Sequence, residues 1–356
     1  MKVLILTPNL SNPGGVSALY NILKLDENDN IKYFDVQGKK SKNIILKVVR
    51  TFSMYFRFTR NCFFNQIIHI NPTFDKRSFY RDGFFLVIAR IFQKKTIVYW
   101  HGWNPDFQKT IKNGKLYFAF FNTTFKKAHM HIVLGSVFKT ELIKMGISTE
   151  MIKIESNTAD DTFLKQGDDF LDAKKDKTEL LFIARIEETK GIFIALRTMK
   201  LLNQTGNYIL TVAGDGPALT RAKEFVHENH IENVIFTGQV KGENKHSVFS
   251  NAKILLFPTF YPEGMPISII ESMLYGLVIV SRPIAGITDW VKVPENGYLI
   301  QSLDESDYAD AIHQLALNPI KMKVIQESNR KFALSYFTPK ALEERLFNYY
   351  NSVLKS

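Results

Sequence analysis

A chain of 356 residues is longer than one ordinary core and suits two domains of about 150 to 200 residues each. Its 45% apolar and 23% charged composition excludes a disordered chain, and a single cysteine, Cys62, excludes an intrachain disulfide and a multi-cysteine zinc cage. The net charge of +11 is lopsided: residues 1–165 hold 25 Lys and Arg against 12 Asp and Glu, a local +13, which leaves −2 for residues 166–356. An anionic partner is therefore expected for the first half only.

The opening run Lys2–Leu6 is too short for a signal peptide or a membrane span and reads as a first strand. Further strands are expected at Ile31–Asp35, Gln66–Ile70, Thr96–Trp100, His129–Leu134 and Met151–Ile154. Helical patterns lie between them at Val16–Leu23, Asn43–Arg60, Ser78–Phe92 and Ser136–Met145. The polar stretch Asp160–Lys177 suits a linker, so a first domain is expected over 1–165. The alternation then restarts, with strands at Leu180–Ile183, Tyr208–Ala213, Val234–Phe236, Lys253–Phe257 and Leu277–Val280. Helices are expected at Ile192–Gln204, Pro217–Asn229, Asn244–Ser250 and Pro266–Tyr275, and from Ser306 onward helices only. Alternating elements of this kind predict an α/β protein of two doubly wound, Rossmann-like parallel sheets. In such sheets ligands sit beyond the carboxyl ends of the strands, which makes a cleft between the domains the natural site.

The chemistry-bearing residues fall at those strand ends. After Lys253–Phe257, Glu263-Gly264-Met265-Pro266-Ile267 opens a helix that carries Glu271. Gly264 permits close backbone approach, Pro266 suits a first helical turn, and free N–H groups at Gly264, Met265 and Ile267 would make an anion site. After Leu180–Ile183 come Arg185 and Lys190-Gly191, a planar fork and a point charge suited to the charge of a departing diphosphate. Gly214-Asp215-Gly216 follows Tyr208–Ala213, and Gly238-Gln239-Val240 follows Val234–Phe236. In the first half, Gly14-Gly15 lies after the first strand and His101-Gly102 after Thr96–Trp100. Each feature alone has a plainer reading: an acid offsetting a helix dipole, surface cations at a strand end, ordinary turns, a satisfied structural histidine.

Together, the segment Pro258 to Val280 and the Arg185…Lys190-Gly191 element resemble retaining glycosyltransferases of the GT-B fold, in particular glycosyltransferase family 4 (glycosyl transferases group 1). The match includes Glu263, Gly264, Pro266, Glu271, Gly276 and the apolar run Leu277–Val280. The resemblance implies two Rossmann-like domains facing across a cleft and transfer of a sugar from a nucleotide-diphosphate sugar. It implies that Glu271 binds the ribose hydroxyls, that Glu263 contacts the donor sugar, and that amides at Gly264, Met265 and Ile267 hold sugar and phosphate. Arg185 and Lys190 become the diphosphate clamp, while Gly214, Gly238 and Val240 line the nucleotide. Gly14 and Gly15 border the diphosphate and the acceptor, and His101 faces the reacting sugar. Two positions depart from the family: Thr158 follows Asn157 where Asn-Gly is usual, and Ala285-Gly286-Ile287-Thr288-Asp289 stands for Gly-Gly-x-Pro-Glu. The donor domain is expected over 166–337, with a last helix, about 338–356, packing back on the first domain.

No Asp-x-Asp occurs, so metal-bridged diphosphate binding lacks its ligands and turnover without metal or other cofactor is expected. The acceptor is expected to be a saccharide or lipid-linked saccharide in cell-surface polysaccharide or glycolipid synthesis. Lys39, Lys40 and Lys42 precede Asn43–Arg60, where Lys47, Arg50, Arg57 and Arg60 alternate with Ile, Val and Phe. That mixture suits an interfacial helix on an anionic membrane, which segment 118–127 would extend; a surface helix with its apolar side on the sheet is the equal alternative. The expected location is cytoplasmic, peripheral on the inner membrane face. A GT-B nucleotide-sugar epimerase is an alternative of the same architecture. A basic nucleic-acid-binding protein is a further one, disfavoured because no nucleic-acid-binding motif is visible.

Overall fold

The computed structural model describes residues 1–12, 14–37, 43–164, 177–261 and 264–356. Glu263, Pro13, Lys39–Lys42 and most of the expected linker lie outside the described residues. The chain forms two compact units, Met1–Ser156 with Pro339–Ser356, and Asn157–Thr338.

The first unit is built on a six-stranded parallel sheet of order β2-β1-β3-β5-β7-β8. Its strands are β1 (Val3–Thr7), β2 (Ile31–Asp35), β3 (Ile67–Ile70), β5 (Lys95–Trp100), β7 (Met130–Val133) and β8 (Ile152–Ile154), with the short pair β4 (Thr73–Phe74) and β6 (Gly102–Trp103) beside them. Every residue of β1, β3 and β7 is buried, as a sheet covered on both faces requires. One covering element is the last helix, Pro339–Lys355, whose Leu342, Leu346, Tyr350 and Val353 join the core of this unit. Arg345 fixes it: Nε and Nη2 donate to the two carboxylate oxygens of the fully buried Glu155 at 2.9 and 3.0 Å, and the Tyr349 hydroxyl donates to the same group at 3.2 Å.

The second unit repeats the architecture with order β11-β10-β9-β12-β13-β14. The strands are β9 (Thr178–Ile183), β10 (Tyr208–Ala213), β11 (Val234–Gly238), β12 (Ile254–Phe257), β13 (Val278–Ser281) and β14 (Gly297–Leu299), all parallel. The boundary falls at 156/157 rather than 165/166. Ala159 and Leu164 pack on the core of the second unit, and the Thr158 hydroxyl donates to the Phe337 carbonyl, so the first residues of the expected linker belong to this unit.

Other differences have local causes. The edge strand β14 is three residues long, below the reach of pattern reading. The helices Pro105–Asn113 and Lys115–Thr123 are not among the expected elements, although Asn104 caps the first by accepting from the amides of Asp106 and Phe107. The aromatic run expected to extend a membrane surface over 118–127 is instead largely core: Phe121 and Phe125 are fully buried, and Phe125 packs on Phe79 and Trp100. Ala119, Thr123 and the lysines after the run, Lys126 and Lys127, are exposed.

Arg345→Met should destabilise the first unit by about 3 to 5 kcal/mol, because it strands a buried carboxylate. Adding Glu155→Leu should recover most of that loss in urea unfolding; no recovery would mean that the pair does not set the anchorage of the last helix.

Candidate active site

In the second unit the chain runs β9, β10, β11 to one side of the sheet, then β12, β13, β14 to the other. β9 and β12 are thus the neighbours at which the winding reverses, and open α/β sheets bind ligands beyond the carboxyl ends of such a pair. The loop after β9 carries Arg185 and Lys190; the loop after β12 leads to Gly264–Ile267. Backbone bonds join the two. The Thr189 carbonyl accepts from the amides of Phe260 and Tyr261 at 2.9 and 3.1 Å and from the Thr259 hydroxyl at 3.3 Å. Lys190 then sits over the Tyr261 ring, 4.5 Å from its centroid. Arg185 is largely exposed and pairs with Glu187 at 2.9 Å.

Glycines allow this proximity. Gly191 has φ +84°, and a Cβ there would lie 2.2 Å from the Pro258 carbonyl oxygen. Gly214, at φ +142°, lies against the Ala184 carbonyl, where a Cβ would come within 1.9 Å, and its amide donates to the Gly238 carbonyl at 2.8 Å. The turn after β10 therefore buttresses the Arg185 loop, a packing role beside the nucleotide-lining role expected for Gly214. Gly238 takes φ +69° at the end of β11 with nothing within 4 Å of its Cβ position, and Val240 packs against the core.

Met265 is buried and its carbonyl accepts from the Asn157 amide at 3.0 Å, which ties the loop after β12 to the start of the unit. Pro266 caps the helix Ile267–Leu274, whose first N–H groups have no intrahelical acceptor. Glu271 is buried on that helix and accepts from the ammonium of Lys245, on the helix Gly242–Asn251. Burial raises the Glu271 carboxyl above its ordinary range and nearby Asp160 adds to this, while Lys245 opposes both. Sequence reasoning missed Lys245; its only signal was a cation on the helix following Val240. In the departing segment, Ala285 holds φ +42° while Gly286 is right-handed at φ −72°, so the alanine takes the conformation that glycine would favour.

In the first unit the winding reverses between β1 and β3. Gly14 precedes the helix Gly15–Leu23, which brings Tyr20 to this point. Asn71, just past β3, donates through Nδ2 to the Leu6 carbonyl at 2.9 Å, so its Oδ1 accepts from Tyr20 at 2.9 Å and from His101 Nε2 at 2.8 Å. His101 is thereby held with Nδ1 as its acceptor. The network continues from Tyr20 to His69 and from His69 to Tyr350 of the last helix, at 3.4 and 2.8 Å. Burial holds His69, His101 and His131 neutral, each lowered to about 3. Sequence reasoning singled out His101 but not Asn71, which orients it. Among the described residues no cluster of three His, Cys, Asp or Glu could hold a metal ion.

Two parallel doubly wound sheets with these loops are the GT-B fold. The crystal structure of HepE from Anabaena, solved with UDP and glucose, matches with a TM-score of 0.76 at 15% identity, covering 99% of this chain and 100% of that one. Residues 167–332 match the model of the family described as glycosyl transferases group 1. The putative colanic acid biosynthesis glycosyltransferase WcaL of Escherichia coli K12 is 23% identical over 187 residues, 51% of this chain and 46% of that protein. The capsular polysaccharide biosynthesis glycosyltransferase CapM of Staphylococcus aureus is 24% identical over 216 residues, 59% of this chain and 53% of that protein. The chain thus spans about half the length of these curated relatives.

Gly191→Ala should destabilise the second unit by roughly 2 kcal/mol or more, from the left-handed φ and the backbone overlap. It should also release Lys190 from Tyr261; an unchanged unfolding midpoint would contradict the contact. The buried histidines predict a pH dependence for the first unit. Below about pH 6.5 the unfolded chain binds protons that these folded imidazoles refuse, so their stabilisation is full above that pH and drains as pH falls toward 3. Each contributes a slope of about 1.4 kcal/mol per pH unit. His69→Gln should make the fall between pH 6.5 and 5 shallower, and a variant with the parent's slope would remove His69 from the account.

Proposed function

We propose that the chain is a retaining glycosyltransferase that moves a sugar from a nucleotide-diphosphate sugar to a saccharide or lipid-linked saccharide in cell-surface polysaccharide synthesis. One observation carries the reading: the loops bearing Arg185 and Lys190 and leading to Gly264–Ile267 are bonded together at the reversal point of the second sheet. A nucleoside diphosphate fits such a place. Its phosphates meet two cations and a helix N-terminus, and its hydroxyls reach a buried carboxylate at Glu271. HepE was solved with UDP and glucose, and WcaL and CapM are named for polysaccharide-type biosynthesis, which supports the donor class and the setting.

On this reading Arg185, Lys190 and the amides near Ile267 stabilise the charge that gathers on the leaving diphosphate. The acceptor hydroxyl attacks the anomeric carbon on the face the diphosphate leaves, so the anomeric configuration is kept. It gives its proton to the departing phosphate oxygen as the carbon–oxygen bond to the diphosphate breaks. Lys245 holds Glu271 ionised despite burial and yields one carboxylate oxygen to the ribose. The neutral His101 offers Nδ1 to a sugar hydroxyl rather than acting as a base. The clamp neutralises the diphosphate without a metal ion.

Thermal-shift screening of UDP, GDP and ADP, then of their sugar conjugates, should find one nucleotide that stabilises the chain. Arg185→Ala and Lys190→Ala should each lower turnover by roughly 100-fold or more, with smaller effects on KM. Chelator should leave turnover unchanged. Unaltered turnover in both variants would overturn the clamp, and release of an epimerised free sugar would overturn transfer.

A further inference from the structure

The helix Ile44–Phe64 is 21 residues long and contains no Asp or Glu. Its inner side is anchored: Phe58 and Cys62 are fully buried, Phe58 packs on Phe34 and Phe85, and Tyr55 packs on Phe84 and Phe85. The outer side is apolar. Ile45, Val49, Phe52, Phe56 and Phe63 are 56 to 76% exposed. At about 100° per residue these five fall within an arc of about 60°, a single stripe about 27 Å long. Arg50, Arg57 and Arg60 run along one flank of it. Scattered exposed apolar side chains need no explanation, but a continuous stripe of this length needs a partner.

A second feature lies at the stripe's carboxyl end. The Lys94 ammonium donates to the Phe63 carbonyl at 3.1 Å, and the same Lys94 lines a cavity of about 270 Å³. Arg90, Lys95, Lys127, Thr123 and His129 also line it, and no carboxylate does. Burial lowers His129 from its ordinary value, and the neighbouring positive charge of Lys95 adds to this. This cavity sits at the amino ends of β5 and β7, the opposite end of the sheet from the Asn71–His101 network. Ile91, next in the chain to the lining residue Arg90, is 70% exposed. An acid-free ring of cations bordered by exposed apolar side chains fits a phosphate held at an apolar boundary.

We propose that the first unit docks on an anionic phospholipid bilayer, with the Ile45–Phe63 stripe in the acyl boundary and a lipid phosphate in the Arg90/Lys94/Lys95/Lys127 cavity. Charge decides the occupant. The stripe and the cavity carry cations only, and residues 1–165 hold a local +13, so an anionic surface is complementary and a second copy of this chain is not. No helix among the described residues is long and apolar enough to cross a membrane, so the helix lies along the surface. The proposal does not depend on the transfer reaction, because binding is measured with no donor present.

The experiment is flotation of the full chain with vesicles of phosphatidylcholine alone or mixed with phosphatidylglycerol. The parent chain should float with the mixed vesicles, weakly with phosphatidylcholine, and less at high salt. Replacing Arg90, Lys94, Lys95 and Lys127 together by Gln should weaken binding to mixed vesicles more than 100-fold, at roughly fivefold for each charge. Phe52→Ser with Phe56→Ser should abolish flotation with both. Phe52→Trp, which keeps the helix surface, should show a blue shift of emission on mixed vesicles. Equal and negligible flotation with both vesicles, an unshifted Phe52→Trp emission, or a dimer dispersed by the two serine substitutions without vesicle binding would each overturn the proposal.

Discussion

The carbonyl of Thr189 is the point on which the second unit's site depends. It stands at the end of the loop after β9 and accepts from the amides of Phe260 and Tyr261 in the loop after β12. Those bonds bring together segments some seventy positions apart, because parallel strands with crossovers place distant loops at one end of a sheet. Gly191 is the companion constraint. No side chain fits between its Cα and the Pro258 carbonyl, so the cationic loop and the end of β12 approach as closely as backbone permits. Lys190 and Tyr261 are neighbours as a consequence.

Much of this was legible in the sequence. The βα alternation follows from short β-branched runs, and the strand-end placement of Arg185, Lys190, Gly214, Gly238 and Pro266 follows from where those runs stop. What was not legible has a physical reason in each case. The pairing of Glu271 with Lys245 joins two helices, and nothing in either segment's own pattern announces it. Asn71 is one polar residue after a buried strand, and only the fold reveals that its amide is bonded to Leu6 and its oxygen turned to His101. The Phe118–Phe125 run has the composition of a surface anchor and the packing of a core. Composition does not say which side of a helix has neighbours.

The two units show the same architecture used in different chemical registers. The second places the cations Arg185 and Lys190, a helix start and a paired acid at its reversal point, a set fitted to phosphate and hydroxyl groups. The first places a neutral hydrogen-bonded chain, Tyr20, Asn71, His101 and His69, at its own, and the last helix contributes Tyr350 to it. Charge in the first unit is displaced to the other end of the sheet and to the helix Ile44–Phe64. The first unit thus keeps a neutral strand-end network apart from a cationic far side.

Photoaffinity labelling tests the central claim most directly. An azido analogue of whichever nucleoside diphosphate stabilises the chain would be activated on the full protein and the modified peptides mapped. Labelling confined to the peptides holding Arg185–Lys190, Gly238–Lys245 and Gly264–Glu271, and suppressed by the unmodified nucleotide, is the predicted result. Competable labelling concentrated in the basic segments around Arg90–Lys95 and Lys126–Lys127 would contradict the account, because it would place the nucleotide at the wrong end of the wrong sheet.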